Sequence, residues 1–332
     1  MDRVEYMTKI LNDNGKQFDL DEDKNTLYHY CSIEVCNEIL KYYFENENQL
    51  ELFATNYLFL NDTEELKNGE NILIKLMRKK IKELNEYRGN EELKKFISAT
   101  IKRLKSDDLN SSVKDLKEVY VTCFCQKNNL LNQWKYYGKN SGVSIEFDFS
   151  NCNYEIYKEN RYDFYTYPII YKNQLKKKVL LDKIEKMCKE YEDKKNKNVD
   201  INRILSNDFD KIHMLCTLLK HKDFKDEKES RFIVSPLYYE SPKDISEQIH
   251  YRIKNNIVVP YLKVKIRKTD KISPIIKSIT VGPGSNQNVV YLGIKHFLIN
   301  KSYKDEIEYE KIRDGECING IILRKSKTPF RD

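Results

Sequence analysis

The chain has 332 residues, 40% of them hydrophobic and 12% aromatic, which suits a large buried core and excludes a disordered polymer. Charged residues make up 33%, yet a net charge of +7 over this length permits phosphate contacts without demanding a nucleic-acid surface. No apolar run follows Met1 and none is long enough to span a bilayer, so a cytoplasmic protein without membrane contact is expected. In that reducing compartment the eight cysteines are expected as free thiols.

Residues 1–25 are polar and read as a loose or helical arm. Leu27-Tyr28-His29-Tyr30-Cys31 then forms a short strand. Ser32 is an N-cap for a helix with Ile33, Cys36, Ile39, Leu40 and Tyr43 on its apolar stripe. His29 thereby sits near the carboxyl end of a first strand, open to a structural or a functional role. LFATNYLFL (52–60) carries one or two short strands and ends at the acidic cluster Asn61-Asp62-Thr63-Glu64-Glu65. Asp62 with Glu65 fits a capping box, and the helix it opens runs to about Tyr87 through Leu66, Leu73, Leu76, Met77, Ile81 and Leu84. A second helix from Asn90 carries Phe96, Ile97, Ile101 and Leu104.

Val119 to Cys125 is a strand, and its Cys123-Phe-Cys125 is too tight for a zinc knuckle, so both cysteines read as core thiols and no structural metal is expected. A short helix with Leu130, Leu131, Trp134 and Tyr137 ends at Gly138, and residues 142–148 alternate as a half-buried strand. The sole tryptophan, Trp134, is either a core anchor or a stacking surface. RYDFYTYPIIY (161–171) reads as an aromatic strand. Two helices follow to Lys220, broken by EDKKNKNVD (192–200). Later strands cover 232–234, 257–266, 278–281 and 320–323, and GPGSN (282–286) reads as a tight turn with an N-cap before a helix carrying Ile294 and Leu298.

Irregular alternation of strands and helices argues for an α+β fold: a mixed, largely antiparallel sheet core with helical insertions packed around it. One domain, 1–332, is expected, with insertions at about 63–106 and 172–220.

The stretch with the clearest chemical content is FKDEKESRFIV (224–234). Read as extended chain, its period of two puts Glu227, Glu229 and Arg231 on one face. Two carboxylates and a guanidinium side by side make either a salt-bridged strand entrance or a working site.

Taken in order, LYHY (27–30), LFLNDTEE (58–65), VTCFCQKNNLLNQWKYYG (121–138), SGVSIEFD (141–148), FKDEKESRF (224–232), ITVGP (279–283) and SKTPFR (326–331) resemble a bacterial family of domains of unknown function. Members of that family often occur in mobile and phage-defence islands. This chain has Phe224 where the family usually has tryptophan, and His29 where lysine is common. The segment order resembles, more distantly, the ADP-ribosyltransferase fold. That resemblance implies NAD as substrate, with Glu229 stabilising an oxocarbenium-like ribosyl centre and Glu227 orienting an acceptor or water. It further implies that His29 contacts ribose hydroxyls and that Arg231 binds pyrophosphate or holds a glutamate ionised. Trp134, Tyr137 and Tyr30 would pack on the ligand, and Asn61 and Asp62 would shape the pocket rim.

Three functions remain open on the sequence. The first is an NAD-dependent ADP-ribosyltransferase or NAD glycohydrolase, a phage-defence or toxin effector with a nucleotide ligand and a protein or nucleic-acid acceptor or regulator. The second is a metal-dependent nuclease or phosphohydrolase using Asp62, Glu64, Asp148, Glu227 and Glu229 as oxygen ligands. The third is a non-catalytic sensor or binding module in which the charged triad is an ion-pair network. No GxSxG, HExxH, GxxxxGK[ST] or GxGxxG motif occurs.

Overall fold

The computed structural model describes residues 26–60, 64–86, 90–105, 119–137, 142–156, 162–197, 200–235, 247–270, 274–301 and 308–329, with positions 165, 202–204, 206–211 and 213 excepted. In chain order the strands are β1 (Thr26–Cys31), β2 (Leu50–Asn56), β3 (Tyr120–Cys125), β4 (Val143–Asp148), β5 (Cys152–Glu155), β6 (Tyr162–Asp163), β7 (Tyr167–Pro168) and β8 (Glu229–Val234). They continue with β9 (His250–Lys254), β10 (Ile257–Lys268), β11 (Ile276–Val281), β12 (Tyr309–Ile312), β13 (Gly315–Ile318) and β14 (Ile321–Lys325).

Among the described residues these strands join in one sheet along the path β12-β13-β14-β11-β4-β1-β3-β2-β10-β5-β6. Off that path β8 pairs with β3, β7 with β8 and β9 with β10. Every named pairing is antiparallel except β11 with β14, so the fold is the expected α+β type with a mixed, largely antiparallel sheet.

The helices are α1 (Ile33–Glu45), α2 (Glu64–Asn85), α3 (Glu91–Lys105), α4 (Leu131–Tyr137), α5 (Asn173–Lys194) and α6 (Gln287–Asn300). Ser32 caps α1 as its spacing predicts, its hydroxyl accepting from the Val35 amide at 3.5 Å. α1 and α6 bury Ile39, Leu40, Tyr43, Ile294 and Leu298 against Leu27, Ile145, Phe147 and Ile279 of the sheet. On the other side Leu73, Met77, Leu93, Ile97, Val179 and Ile184 of α2, α3 and α5 pack together over Val121 and Tyr167. Burial of each such side chain stabilises the fold by about 1.5–3 kcal/mol before chain entropy is counted. Helices from both sequence insertions thus share a single apolar cluster.

Several local expectations are corrected. The segment 161–171 is not one strand: β6 pairs with β5, β7 pairs with β8, and Phe164 between them turns inward to stack on Phe232 at 4.6 Å. The chain therefore steps from one partner to another around a buried ring. At GPGSN the turn is present, but Asn286 makes no side-chain cap. Instead the Gln287 side-chain Nε2 donates to the carbonyls of Val281, Gly282 and Ser326 at 3.3, 3.1 and 3.0 Å. The short strands β5, β9, β12 and β13 had no counterpart in the sequence reading. The β9–β10 turn carries a hairpin signal, Asn255-Asn256 with both φ positive (51° and 60°), and Gly315 (φ 157°) opens β13 directly after the Arg313-Asp314 turn. All eight cysteines are free thiols, and no helix among the described residues is long and apolar enough to cross a membrane.

Candidate functional site

The segment expected to run extended from Phe224 does not. Lys222–Glu227 forms a 3-10 helix, Lys228 adopts the left-handed conformation (φ 49°, ψ 48°), and β8 begins only at Glu229. Glu227 therefore does not share a strand face with Glu229 and Arg231. The reversal at Lys228 still returns its carboxylate to the same place, because a third partner holds both acids. That partner is Lys220, which the sequence placed as the last residue of a helical insertion and gave no role.

Lys220 is positioned by backbone. Leu219 forms an isolated parallel bridge with Ile170, and the Lys220 amide donates to the Ile170 carbonyl at 3.3 Å. Its Nζ lies 2.5 Å from Glu227 Oε2 and 3.0 Å from Glu229 Oε2. Arg231 grips the same carboxylate, Nε to Oε1 at 2.6 Å and Nη2 to Oε2 at 3.1 Å. Its Nη1 donates to the Thr217 carbonyl at 2.5 Å and to the Tyr57 hydroxyl at 3.4 Å, and its guanidinium lies over the Tyr57 ring. The Glu229 amide donates to the Tyr171 hydroxyl at 3.0 Å.

Arg231 is 2% exposed and Glu229 7% exposed, so this ion pair is desolvated. Burial by itself pushes the Glu229 carboxyl up. The charges of Arg231 and Lys220, with hydrogen bonds from Arg231 and Cys123, outweigh it and hold the group at about 2. Glu229 is thus a permanent carboxylate at neutral pH. The solvent side of the cluster is Glu227, with two aromatic rings at its margin. Phe224 is exposed, with the Lys220 ammonium 5.0 Å from its ring centre. Tyr137 is 42% exposed, and its hydroxyl is pushed up to about 12 by burial first and then by Cys123, Glu227 and Glu229.

The other expected site residues fall in different places. Trp134 is buried at 2% exposure, edge-on to Tyr30 at 4.8 Å, with its Nε1 donating to Asn129 Oδ1 at 3.0 Å. Tyr30 is buried beside it and ties down the following turn, donating to the Lys127 carbonyl at 3.1 Å and accepting from the Leu130 amide at 2.9 Å. Both therefore stand as anchors beneath α4. His29 lies where β1 and β2 part along the edge of β3. β1 meets β3 only at Cys125 and β2 only at Tyr120 and Val121, so the Cys123 carbonyl between them is left to His29 Nδ1 at 3.2 Å. Burial, ahead of the neighbouring Arg252, lowers the imidazole pKa and keeps the ring neutral. Asn61 and Asp62 lie outside the described residues. Asp148 is remote from the cluster in register and pairs with Lys268 and Lys277 at 3.2 and 3.5 Å.

The fold is α+β, with a buried Lys220-Glu229-Arg231 cluster where β8 begins. Within it, residues 133–232 match the family described as a protein of unknown function (DUF2971). The matched span runs from α4 to β8, so it holds Trp134, Tyr137, Lys220, Glu227, Glu229 and Arg231 but not His29. No curated protein and no solved structure matches the chain significantly.

Proposed function

We propose that the chain is an NAD-using enzyme, an ADP-ribosyltransferase or NAD glycohydrolase, with Glu229 as the carboxylate facing the nicotinamide ribose. The observation that carries this reading is that Glu229 is held as an anion, by a two-point Arg231 fork and Lys220, beside a rim bearing Tyr137 and Phe224. In such a reaction the bond from ribose C1′ to the nicotinamide nitrogen breaks heterolytically, nicotinamide leaves neutral with the electron pair, and positive charge develops on the ribosyl group. A fixed carboxylate next to that charge stabilises the transition state without reorganising. Water or an acceptor then adds to C1′ and gives up its proton, a role that we assign to Glu227 because it is more exposed than Glu229. Depletion of NAD or modification of an acceptor would suit a defence or toxin effector in the cytoplasm.

The reading of a non-catalytic module is favoured by one observation: both oxygens of Glu229 already accept hydrogen bonds from Arg231 or Lys220. The nuclease reading has less support, since a divalent ion at Glu227 and Glu229 would have to displace the Lys220 ammonium.

The test is NAD consumption by the purified full chain, with and without EDTA, followed by chromatography of nicotinamide. Wild type should release nicotinamide in EDTA, and Glu229→Gln should lose at least about a hundredfold in rate while keeping its circular dichroism spectrum. Full activity in a folded Glu229→Gln would sink the proposal, as would the absence of turnover alongside an EDTA-sensitive nuclease activity.

A further inference from the structure

The strand registers place Glu229 at one end of a row that crosses six strands. Glu229 is opposite Cys125 of β3, Cys125 opposite Tyr28 of β1, Tyr28 opposite Glu146 of β4, Glu146 opposite Ser278 of β11, and Ser278 opposite Ile322 of β14. Residues paired across strands share a face, so the whole row lies on one side of the sheet. The adjoining row on that side, Tyr30, Ser144, Thr280 and Arg324, is polar too. The reverse side of the same strands carries Leu27, Ile145, Phe147 and Ile279 into the core.

A sheet face packed under protein is normally apolar, whereas this one carries polar groups from Glu229 to Arg324. Among the described residues neither large apolar cluster includes its members, and Trp134 and Leu130 cover the middle over Tyr30 and Cys125. Ser144, Ser278 and Thr280 are buried, and Tyr28, Glu146 and Arg324 are half-buried. Glu146 is half-buried and accepts from the Tyr28 hydroxyl at 3.4 Å and from Ser278 Oγ. Asn128 Nδ2 donates to Thr280 Oγ1 at 3.0 Å. Two buried polar atoms on this side, Asn128 Oδ1 and Arg324 Nε, have no hydrogen-bond partner among the described residues, while the fully buried Ser144 hydroxyl is engaged by Tyr30. Buried donors and acceptors are paired in stable proteins, and a ligand that supplies the missing partners is bound by the same energy.

We propose that this row is the bed of a nucleoside diphosphate, with its ribose diol on the Glu146 carboxylate and its phosphates on the Arg324 guanidinium. A carboxylate has only acceptors to offer and matches two adjacent hydroxyl donors. A guanidinium presents a planar fork that matches phosphate oxygens, and here its Nε is unused. Asn128 Oδ1 adds an acceptor for a hydroxyl or an exocyclic amine. Glu146 and Glu229 are separated by three strand spacings, about 14 Å at about 4.8 Å each. Extending the ligand to NAD rests on the reading of Glu229 given above; the diphosphate bed by itself does not.

The test is calorimetric titration of the full chain with ADP, then with ADP-ribose. Wild type should bind ADP, and Glu146→Gln and Arg324→Ala should each weaken it by about tenfold or more. Arg313→Ala, which removes an exposed cation from the neighbouring β12–β13 hairpin, should change nothing. Thermal melts of each variant separate lost binding from lost fold, and Arg324→Lys should recover part of the affinity through charge alone. Failure of the wild type to bind ADP overturns the bed, as does unchanged affinity in folded Glu146→Gln and Arg324→Ala. Specific ADP binding without NAD turnover keeps the bed and removes the NAD reading. NAD turnover whose KM ignores Glu146→Gln keeps the NAD reading and removes the bed.

Discussion

Arg231 holds Glu229 from two residues further along the same strand, closing a two-point fork at 2.6 and 3.1 Å while its third nitrogen reaches the Thr217 carbonyl. The fork ties the start of β8 to the turn that delivers Lys220. Removing Arg231 leaves a buried carboxylate and an unpaired backbone carbonyl. Arg231→Ala should therefore cost about 3–5 kcal/mol in urea unfolding, and Arg231→Lys should recover only a minor part, because an ammonium cannot form the fork. A loss under about 1 kcal/mol would show the cluster to be an exposed, weak ion pair.

Acid should act on the same group. The Glu229 carboxyl is depressed from an ordinary 4.5 to about 2 in the folded chain, so its contribution is complete above the unfolded value and disappears as pH falls towards 2. That window carries about 3 kcal/mol. Equilibrium unfolding of wild type and Glu229→Gln across this range should show their stability difference shrinking as pH falls. A constant difference would mean that Glu229 is not held ionised by folding.

His29 should show a dependence of the same sign at higher pH. Its folded pKa lies below the ordinary 6.5, so the neutral ring contributes fully above that value and the contribution falls as pH drops below it. His29→Asn preserves a side-chain donor for the Cys123 carbonyl and removes the titration. Its stability should be close to wild type at pH 8 and flatter between pH 7 and 5. Should His29→Asn abolish activity at pH 8 in a folded chain, the imidazole has a chemical role beyond this hydrogen bond.

Gly282 lies against Trp134, and a Cβ there would come within 2.8 Å of the indole and 2.9 Å of the Gly142 carbonyl. Gly282→Ala should destabilise by about 1–3 kcal/mol through overpacking. Because Trp134 is the sole tryptophan, its fluorescence reports the displacement directly. Trp134→Leu should relieve only part of the cost in the double variant, since the backbone carbonyl remains. Neutral Gly282→Ala would mean that α4 moves freely over this turn.

Much of the fold was legible in short windows. The stripe Ile39, Leu40, Tyr43 behind the Ser32 cap, and the alternation of residues 142–148, each follow from a period the local backbone imposes. The strands that escaped notice are short and flank turns such as Asn255-Asn256, where four or five residues give too few repeats for a period to stand out. Glu229 with Arg231 was legible for the same reason, since two residues in a strand share a face. Glu227 was misplaced because one left-handed residue, Lys228, ended the period unannounced; lysine carries no general preference for that conformation.

By itself the sequence determined helices such as α1 and strands such as β4, the Glu229–Arg231 face, and the motif set that resembles a family of unknown function. Only the tertiary structure decided that Lys220 joins Glu227 and Glu229, that His29 fills the gap where β1 and β2 part, and that Glu146 and Ser278 stand in line with Glu229. Those meetings depend on cross-strand register between segments such as Glu146 and Ser278, 132 residues apart. Register is set by the whole apolar pattern of the sheet settling into its core at once, and no local window of sequence contains it.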